Sequence, residues 1–383
     1  MICAYCWREK PDEQITDEHV LPRALGGNLT PQNPFLLRPV CKICNAASGR
    51  HIDGPFLRSW FLKNYRAENA RKYVDLSVSP ILPLTYLGEV QTDLPTDKSC
   101  DMWLGPTDDR VFHFHNPYPN AEGVVGPPLY LRPDEIDPGF VFVFIRATNP
   151  AWHGPILLSI KEYFPESTLY VGNGSTPPGG AFSDVPEKFN ALHSQLKAMN
   201  GQTHHLQFHV RKDFGHRFLA KLALGCGALF LKRDFLWSPD ATLLRNFMWE
   251  KTPGSRQDIP LLGQPFLSEK LKGIKQILGW APGHIILFSP IDHKLVLVPI
   301  FYGEHVAAMQ ICSDATLWEG QINPLGSVYI IAPGLRRFYG PMSLPDFIAI
   351  KTGMLSTSNE CAELLNHSYS ECTLPPYDLP PVV

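Results

Sequence analysis

The sequence predicts an α+β protein in which a small, metal-stapled N-terminal finger precedes a large mixed α+β body with antiparallel strands. The finger is indicated by two CxxC pairs, Cys3 with Cys6 and Cys41 with Cys44. The body is indicated by separate short runs of β-branched and aromatic residues, with glycine and proline between them. The 383 residues, 44% of them hydrophobic, can form two or three cores of ordinary size.

The four thiols of the two pairs predict a structural zinc site, because zinc in such sites is bound tetrahedrally by cysteine and histidine. The 34 residues between Cys6 and Cys41 would be held at both ends by one ion. Such an ion supplies folding free energy on the order of 10 kcal/mol. No export signal precedes Cys3, so we expect a cytoplasmic protein whose thiols stay reduced and bind metal instead of forming disulfides.

Residues suited to hydrolytic chemistry lie between and directly after the two pairs. Glu18 and His19 are adjacent, and Asn45 follows the second pair at the start of a predicted helix. A carboxylate can hold a divalent ion while a neighbouring imidazole takes a proton from water. An acid–His dipeptide alone is a weak signal, and its structural alternative is a surface pair in a loop that merely binds nucleic acid. Its position between the two cysteine pairs favours the catalytic interpretation.

This segment resembles the HNH nucleases, the ββα-metal finger endonucleases, in their four-cysteine form. The matching runs are Cys-Ala-Tyr-Cys, then Asp-Glu-His-Val-Leu-Pro-Arg-Ala-Leu-Gly-Gly-Asn, then Val-Cys-Lys-Ile-Cys-Asn-Ala-Ala-Ser-Gly-Arg-His-Ile-Asp. The resemblance covers about residues 1–60, under a fifth of the chain. It implies that His19 is the general base of an endonuclease. It also implies that Glu18 and Asn45 hold a catalytic divalent ion, Mg²⁺ or Mn²⁺.

The resemblance further implies an interior asparagine that braces the loop of the base, for which we favour Asn33 over Asn28. The sequence departs from the family in two places. Glu18 is one methylene longer than the aspartate of many members. Where some members have a second ligand histidine, this chain has Gly49, and His51 lies off that face of the helix. We therefore interpret His51 as a phosphate or structural contact.

The charge distribution predicts a nucleic-acid contact near the motif. The whole chain has a net charge of −3, but residues 38–72 contain eight basic and two acidic side chains. Such a local excess beside the motif is suited to phosphate, and the alternative is a solvated helix face. We expect DNA as the partner in preference to RNA. The candidate nucleic-acid-binding residues are Arg23, Lys42, Arg50, His51 and Arg58.

We place an HNH endonuclease domain at residues 1–75 and an α+β domain of unknown function at 76–383, with a further boundary open near 200–212. The apolar window 218–231 is too short to span a bilayer, so we expect a buried core helix and no membrane partner. A helix is expected over 46–71, broken near Gly54-Pro55. In the body, strands are expected at 140–146, 156–160, 168–171, 204–210, 284–288, 294–301, 306–311 and 327–331, and helices at 214–231 and 239–249.

The sequence leaves the role of the body open among substrate recognition, a sensor that restrains the nuclease, and assembly into a homo-oligomer. A sensor would await an activating ligand or partner protein, as in phage-defence effectors that carry HNH domains. His113 and His115 would share a strand face, which we interpret as an ordinary polar face. The alternative for the whole protein is a non-catalytic, zinc-stapled nucleic-acid-binding module with a protein-interaction body.

Overall fold

The structure is a computed structural model that describes residues 1–29, 33–73, 82–90, 97–117, 137–147, 149–173, 212–250, 272–355 and 360–366, with a few positions between 187 and 194. The chain forms two compact units. The first comprises Met1–Tyr65 with Arg211–Ser368, and the second comprises Arg66–Val210 with Tyr369–Val383. The predicted boundaries near 75 and 200–212, and the predicted strand at 204–210, fall almost wholly outside the described residues.

The N-terminal part of the first unit has the order strand, strand, helix. Strand β1 (Ile15–His19) pairs antiparallel with β2 (Leu36–Cys41), and helix α1 (Lys42–Ser48) follows directly. The pairing register shifts between Thr16 and Glu18, so Asp17 lies at an irregularity in β1. This arrangement fits the predicted ββα finger. One π-helical turn then leads into α2 (Gly54–Leu57) and α3 (Trp60–Tyr73), so the predicted helix begins earlier. Its break lies at Arg58 and Ser59, because the backbone stays helical through the Gly54-Pro55 step where the break was predicted.

The rest of the first unit is built on an antiparallel sheet with two helices before it. The helices are α5 (Lys212–Phe230) and α6 (Pro239–Trp249). Its strands are β8 (His284–Ile291), β9 (Lys294–Phe301), β10 (His305–Val306), β11 (Met309–Cys312), β12 (Ser327–Ala332) and β13 (Arg337–Ser343). Their order in the sheet is β10-β9-β8-β12-β13, and β11 also pairs with β9.

The N-terminal finger and helix α5 share one hydrophobic core. Phe56 of α2 stacks on Phe218 of α5 with ring centroids 3.9 Å apart and planes at 6°. Gly225 lies so close to the finger that a Cβ there would be 2.6 Å from the Val20 side chain. The finger therefore buries its apolar residues against the C-terminal part of the chain, which adds to the stabilisation that a metal ion can give.

The second unit contains a five-stranded sheet in the order β3-β4-β5-β6-β7. All neighbours are antiparallel except β6 and β7. The predicted strand at 156–160 is wrong, because these residues lie in helix α4 (His153–Tyr163), where Ile156, Ser159 and Ile160 are buried at helical spacing. The strands are β3 (Thr85–Glu89), β4 (Ser99–Leu104), β5 (Arg110–His115), β6 (Phe140–Ile145) and β7 (Thr168–Asn173).

Four further short α-helices lie within the described ranges. They are α7 (Lys272–Leu278), α8 (Ala315–Trp318), α9 (Leu344–Lys351) and α10 (Glu360–Asn366). The predicted fold class, a small ββα finger with a mixed α+β body containing antiparallel sheets, is confirmed. None of the helices within the described ranges combines the length and the apolar character needed to cross a membrane.

Candidate functional site

The four cysteines of the CxxC pairs come together in one cluster. Cys3 and Cys6 lie in the N-terminal turn, Cys41 ends β2, and Cys44 lies in the first turn of α1. Their sulfur atoms all lie within 4.8 Å of one another. Tetrahedral zinc at a Zn–S distance of about 2.3 Å places its sulfurs about 3.8 Å apart. The cluster is therefore positioned to bind zinc.

The protonation of the cluster agrees with a metal-binding role. A hydrogen bond from the Cys44 thiol lowers the pKa of Cys3 to about 4, and the same contact raises the pKa of Cys44. The main-chain N–H of Cys41 also donates to Cys3 Sγ at 3.3 Å. The lowered pKa favours the thiolate form of Cys3, and thiolate is the form that binds a metal ion.

Helix α6 holds the first cysteine turn from outside the finger. Arg245 Nε donates to Ala4 O at 2.9 Å, and Trp249 Nε1 donates to Tyr5 O at 2.9 Å. The Arg245 guanidinium also lies over the Trp7 ring, 4.5 Å from its centroid. The main chain of the turn is therefore fixed by side chains that lie about 240 residues away in sequence.

His19, the predicted general base, ends β1 and is half-buried. Arg23 Nε lies 3.0 Å from His19 Nε2. The N–H groups of Arg23 and Asn33 can only donate, and they face opposite ring nitrogens. Arg23 favours a lone pair on Nε2, whereas Asn33 Nδ2, 3.0 Å from Nδ1, favours one on Nδ1. Nδ1 faces Gly27 O at 3.4 Å. With the lone pair on Nε2, the neutral ring would present it outward, as a general base requires.

Asn33 braces this histidine, as the sequence predicts for an interior asparagine. Its Nδ2 lies 3.0 Å from His19 Nδ1 and donates to Gly27 O, while its Oδ1 accepts from Phe35 N at 2.9 Å. Asn28 is exposed. Burial lowers the pKa of His19, and Gly27 O opposes this change. The imidazole is consequently neutral over more of the physiological pH range than a free histidine.

Asn45 lies in α1, one residue after the last cysteine, and is tied to β1. Its Nδ2 donates to Asp17 O at 2.9 Å, which leaves the amide oxygen available as a ligand. The side chain of Asp17 is exposed. The charge of Asp17 favours a higher pKa of the His19 imidazole, but burial has the stronger effect and the His19 pKa is lowered overall. The helix and the strand are therefore joined beside His19.

Glu18, the predicted ligand of the catalytic ion, is buried and forms an ion pair. Its side chain is 4% exposed, and Lys221 Nζ lies 2.6 Å from its Oε1. Lys221 also contacts Asp53 Oδ2 at 2.8 Å and donates to the main-chain oxygens of His19 and Val20 at 3.1 and 3.3 Å. The carboxylate of Glu18 is thus neutralised by an ammonium group from helix α5.

Sequence reasoning missed the roles of Lys221 and Asp53. Burial acts against the charge of Lys221, but Asp53 and Glu18 outweigh it and raise the Lys221 pKa. Burial raises the pKa of Asp53 to about 6, and Lys221 opposes this. The available signal was a single lysine within the otherwise apolar run 218–231. A lysine in such a run needs a buried acidic partner.

The predicted nucleic-acid-binding residues are mostly accessible. Arg23, Lys42, Arg50 and His51 are exposed, and Arg58 is half-buried. Arg23 is the one among them that directly contacts the candidate base. Arg23 is therefore an exposed basic side chain that directly contacts the candidate reaction site at His19.

Residues 3–61 match the family model of HNH endonucleases. The matched stretch contains both CxxC pairs, the Glu18-His19 pair and Asn45. The N-terminal resemblance is thereby confirmed, and the chain carries an HNH endonuclease-family domain in this segment. No curated protein and no solved structure matches the chain.

Proposed function

We propose that the protein is a metal-dependent endonuclease that hydrolyses phosphodiester bonds of nucleic acid, with DNA as the favoured substrate. The observation that carries this proposal is the setting of His19. It is a half-buried imidazole with a pKa lowered by burial; its Nε2 faces the exposed side chain of Arg23, and Asn45 is tied to the same strand. This setting lies within the residues that match the HNH endonuclease family.

In this mechanism His19 Nε2 takes a proton from the attacking water. Arg23 now donates to that nitrogen, so we infer that Arg23 moves to a phosphate of the substrate and leaves His19 free for water. Asn45 Oδ1 and a carboxylate would hold the catalytic Mg²⁺ or Mn²⁺. When bound, that ion stabilises the charge that develops on the phosphate and on the leaving oxygen. Structural zinc at the four cysteines would fix the position of α1 relative to β1.

Two carboxylates compete for the ligand role. Glu18 is the one implied by the family pattern, but Lys221 binds it in the structure. Asp17 is exposed, and Asn45 binds its main-chain oxygen. We propose that Glu18 binds the ion after exchange with Lys221. Glu18→Gln and Asp17→Asn form a matched pair: loss of divalent-ion affinity in the first variant alone supports Glu18, and loss in the second alone assigns the role to Asp17.

The nuclease proposal is tested on the full chain with plasmid DNA and either Mg²⁺ or Mn²⁺. His19→Ala should abolish cleavage while zinc content and circular dichroism remain as in the wild type. His153→Ala is the matched control, because His153 lies in the second unit and contacts Ala147 O. Cleavage by the His19→Ala variant at the wild-type rate would refute the assignment of the base.

A second candidate function is a non-catalytic, zinc-stapled nucleic-acid-binding module. The buried Glu18–Lys221 ion pair favours it, because a paired carboxylate is not free to hold an ion. Retarded migration of DNA with no cleavage in either cation, in the wild type and in Lys221→Met alike, would support this candidate over the nuclease.

We further propose that the body controls the nuclease, with a phage-defence effector of the cytoplasm as the working hypothesis. The support is the contact of α5 and α6 with the finger, because two helices of the body hold the strand of the base and the first cysteine turn. An activating ligand or partner protein and a homo-oligomer belong to the same hypothesis. Cleavage that depends on an added phage component, and is lost in His19→Ala, would support it.

A further inference from the structure

The second unit carries a cluster of two histidines and one aspartate that the candidate nuclease site does not use. Asp101 on β4 pairs in register with His113 on β5, and His115 follows two residues later on the same face. All three side chains are 1–2% exposed. One ligand atom from each lies within 4.8 Å of the other two. The strand face that the sequence marks as polar is therefore buried.

Each of the two imidazoles is held by main-chain oxygens through one of its own ring nitrogens. His115 Nδ1 lies 2.7 Å from Asn116 O, and His113 Nε2 lies 3.1 Å from Asp137 O and 3.3 Å from Pro138 O. A carbonyl oxygen can only accept, so these nitrogens carry the ring protons. The lone pairs then lie on His115 Nε2 and His113 Nδ1. Histidines that bind metals are held by the same kind of outer hydrogen bond.

The contact between His115 and Asp101 requires a proton or a metal ion between the two atoms. His115 Nε2 lies 2.9 Å from Asp101 Oδ2, and two lone pairs at that distance repel each other. A proton on either residue, or a metal ion between the two atoms, removes the repulsion. A proton accounts for this one pair, whereas an ion uses donor atoms of all three residues. Tyr86 donates to Asp101 Oδ1 at 3.1 Å and so fixes the carboxylate.

The surroundings of the cluster make its polar character significant. The His113 ring lies 4.6 Å from the Phe164 ring. The other face of the same sheet is apolar and contains Phe112, Phe114 and Phe142. Burial of three polar side chains is unfavourable unless their polar atoms are satisfied, and an ion bound to all three would add to the hydrogen bonds that already hold each of them.

We propose that Asp101, His113 and His115 bind a divalent transition-metal ion, with zinc as the first candidate, at a site distinct from the four-cysteine cluster. Two imidazoles and one carboxylate are typical ligands of zinc and of iron(II), whereas Mg²⁺ and Ca²⁺ prefer oxygen alone. Tyr86 is a positioning residue that orients Asp101.

The test uses the full chain, loaded with Zn²⁺ and freed of unbound metal by gel filtration. Elemental analysis should find one zinc ion fewer per chain in His113→Ala than in the wild type. His153→Ala, a histidine substitution in the same unit, should bind as many ions as the wild type. Tyr86→Phe should weaken the binding of this ion by about 10- to 100-fold in chelator competition. An unchanged zinc count in His113→Ala overturns the proposal.

X-ray absorption at the zinc edge provides a test that does not depend on the folding of His113→Ala. The measurement uses the His19→Ala full chain, so that the imidazole of the candidate nuclease site cannot contribute. Nitrogen and oxygen neighbours in addition to sulfur support the proposal. Sulfur neighbours alone overturn it and leave His115 as a doubly protonated partner of Asp101.

Discussion

Replacing Lys221 by methionine removes the only cation that contacts Glu18 and Asp53 among the described residues. At an effective dielectric constant of about 20, each of the contacts at 2.6 and 2.8 Å is worth about 6 kcal/mol of Coulomb attraction. Desolvation of the three groups offsets most of this. The expected net effect is the loss of about 3–5 kcal/mol, the usual consequence of leaving buried charges without a partner. Domains of ordinary stability have only about 5–15 kcal/mol in total.

The assay is urea unfolding of the zinc-loaded full chain, with the transition of the first unit followed separately from that of the second. Lys275→Met is the matched control, because Lys275 pairs with Glu304 while both side chains are about 40% exposed. An exposed pair contributes about 0–1 kcal/mol. Adding Glu18→Gln and Asp53→Asn to Lys221→Met should recover part of the lost stability. A loss under about 1 kcal/mol for Lys221→Met would refute the reasoning.

Two further predictions concern the finger. Cys41→Ser should lose the structural zinc and unfold residues 1–60, because the ion supplies on the order of 10 kcal/mol, whereas Cys312→Ser should keep its zinc in elemental analysis. The acidic limb of kcat/KM for DNA cleavage should have its midpoint below 6.5, the ordinary pKa of histidine, because burial lowers the pKa of His19 and keeps the active neutral form at lower pH. A midpoint above 6.5 would contradict the neutral-base assignment.

Local patterns predicted those parts of the fold whose causes are local. Helix α6 was predicted with its observed bounds, since Pro239 and Asp240 lie in its first turn and Ser238 accepts a hydrogen bond from Ala241 N. The error at 156–160 arose because residue types alone favour a strand there. The spacing of the buried residues and Pro155 in the first turn are compatible with a helix.

In the candidate site, too, contacts made within a short segment could be predicted and contacts made by distant packing could not. The four cysteines, His19, Asn33 and Asn45 all lie within the first 45 residues, so motif spacing could anticipate the cysteine cluster and the contacts of Asn33 and Asn45 with β1. The partner of Glu18 is different, because Lys221 lies about 200 residues away and meets β1 only through the packing of α5. A pattern within 60 residues contains no information about such a contact. The sequence could show that Lys221 needs an acidic partner, but not which one.

The hydrophobic core that the finger shares with α5 bears on how the candidate nuclease can be controlled. Lys221 holds β1 both through the Glu18 carboxylate and through the main-chain oxygens of His19 and Val20. A buried carboxylate that loses its cation must gain another cation or a proton. Entry of a divalent ion at Glu18 and withdrawal of Lys221 are therefore thermodynamically linked. By reciprocity, and under the proposal that Glu18 holds the catalytic ion, anything that shifts α5 away from β1 raises the affinity of Glu18 for the ion, and the ion in turn favours the shifted helix.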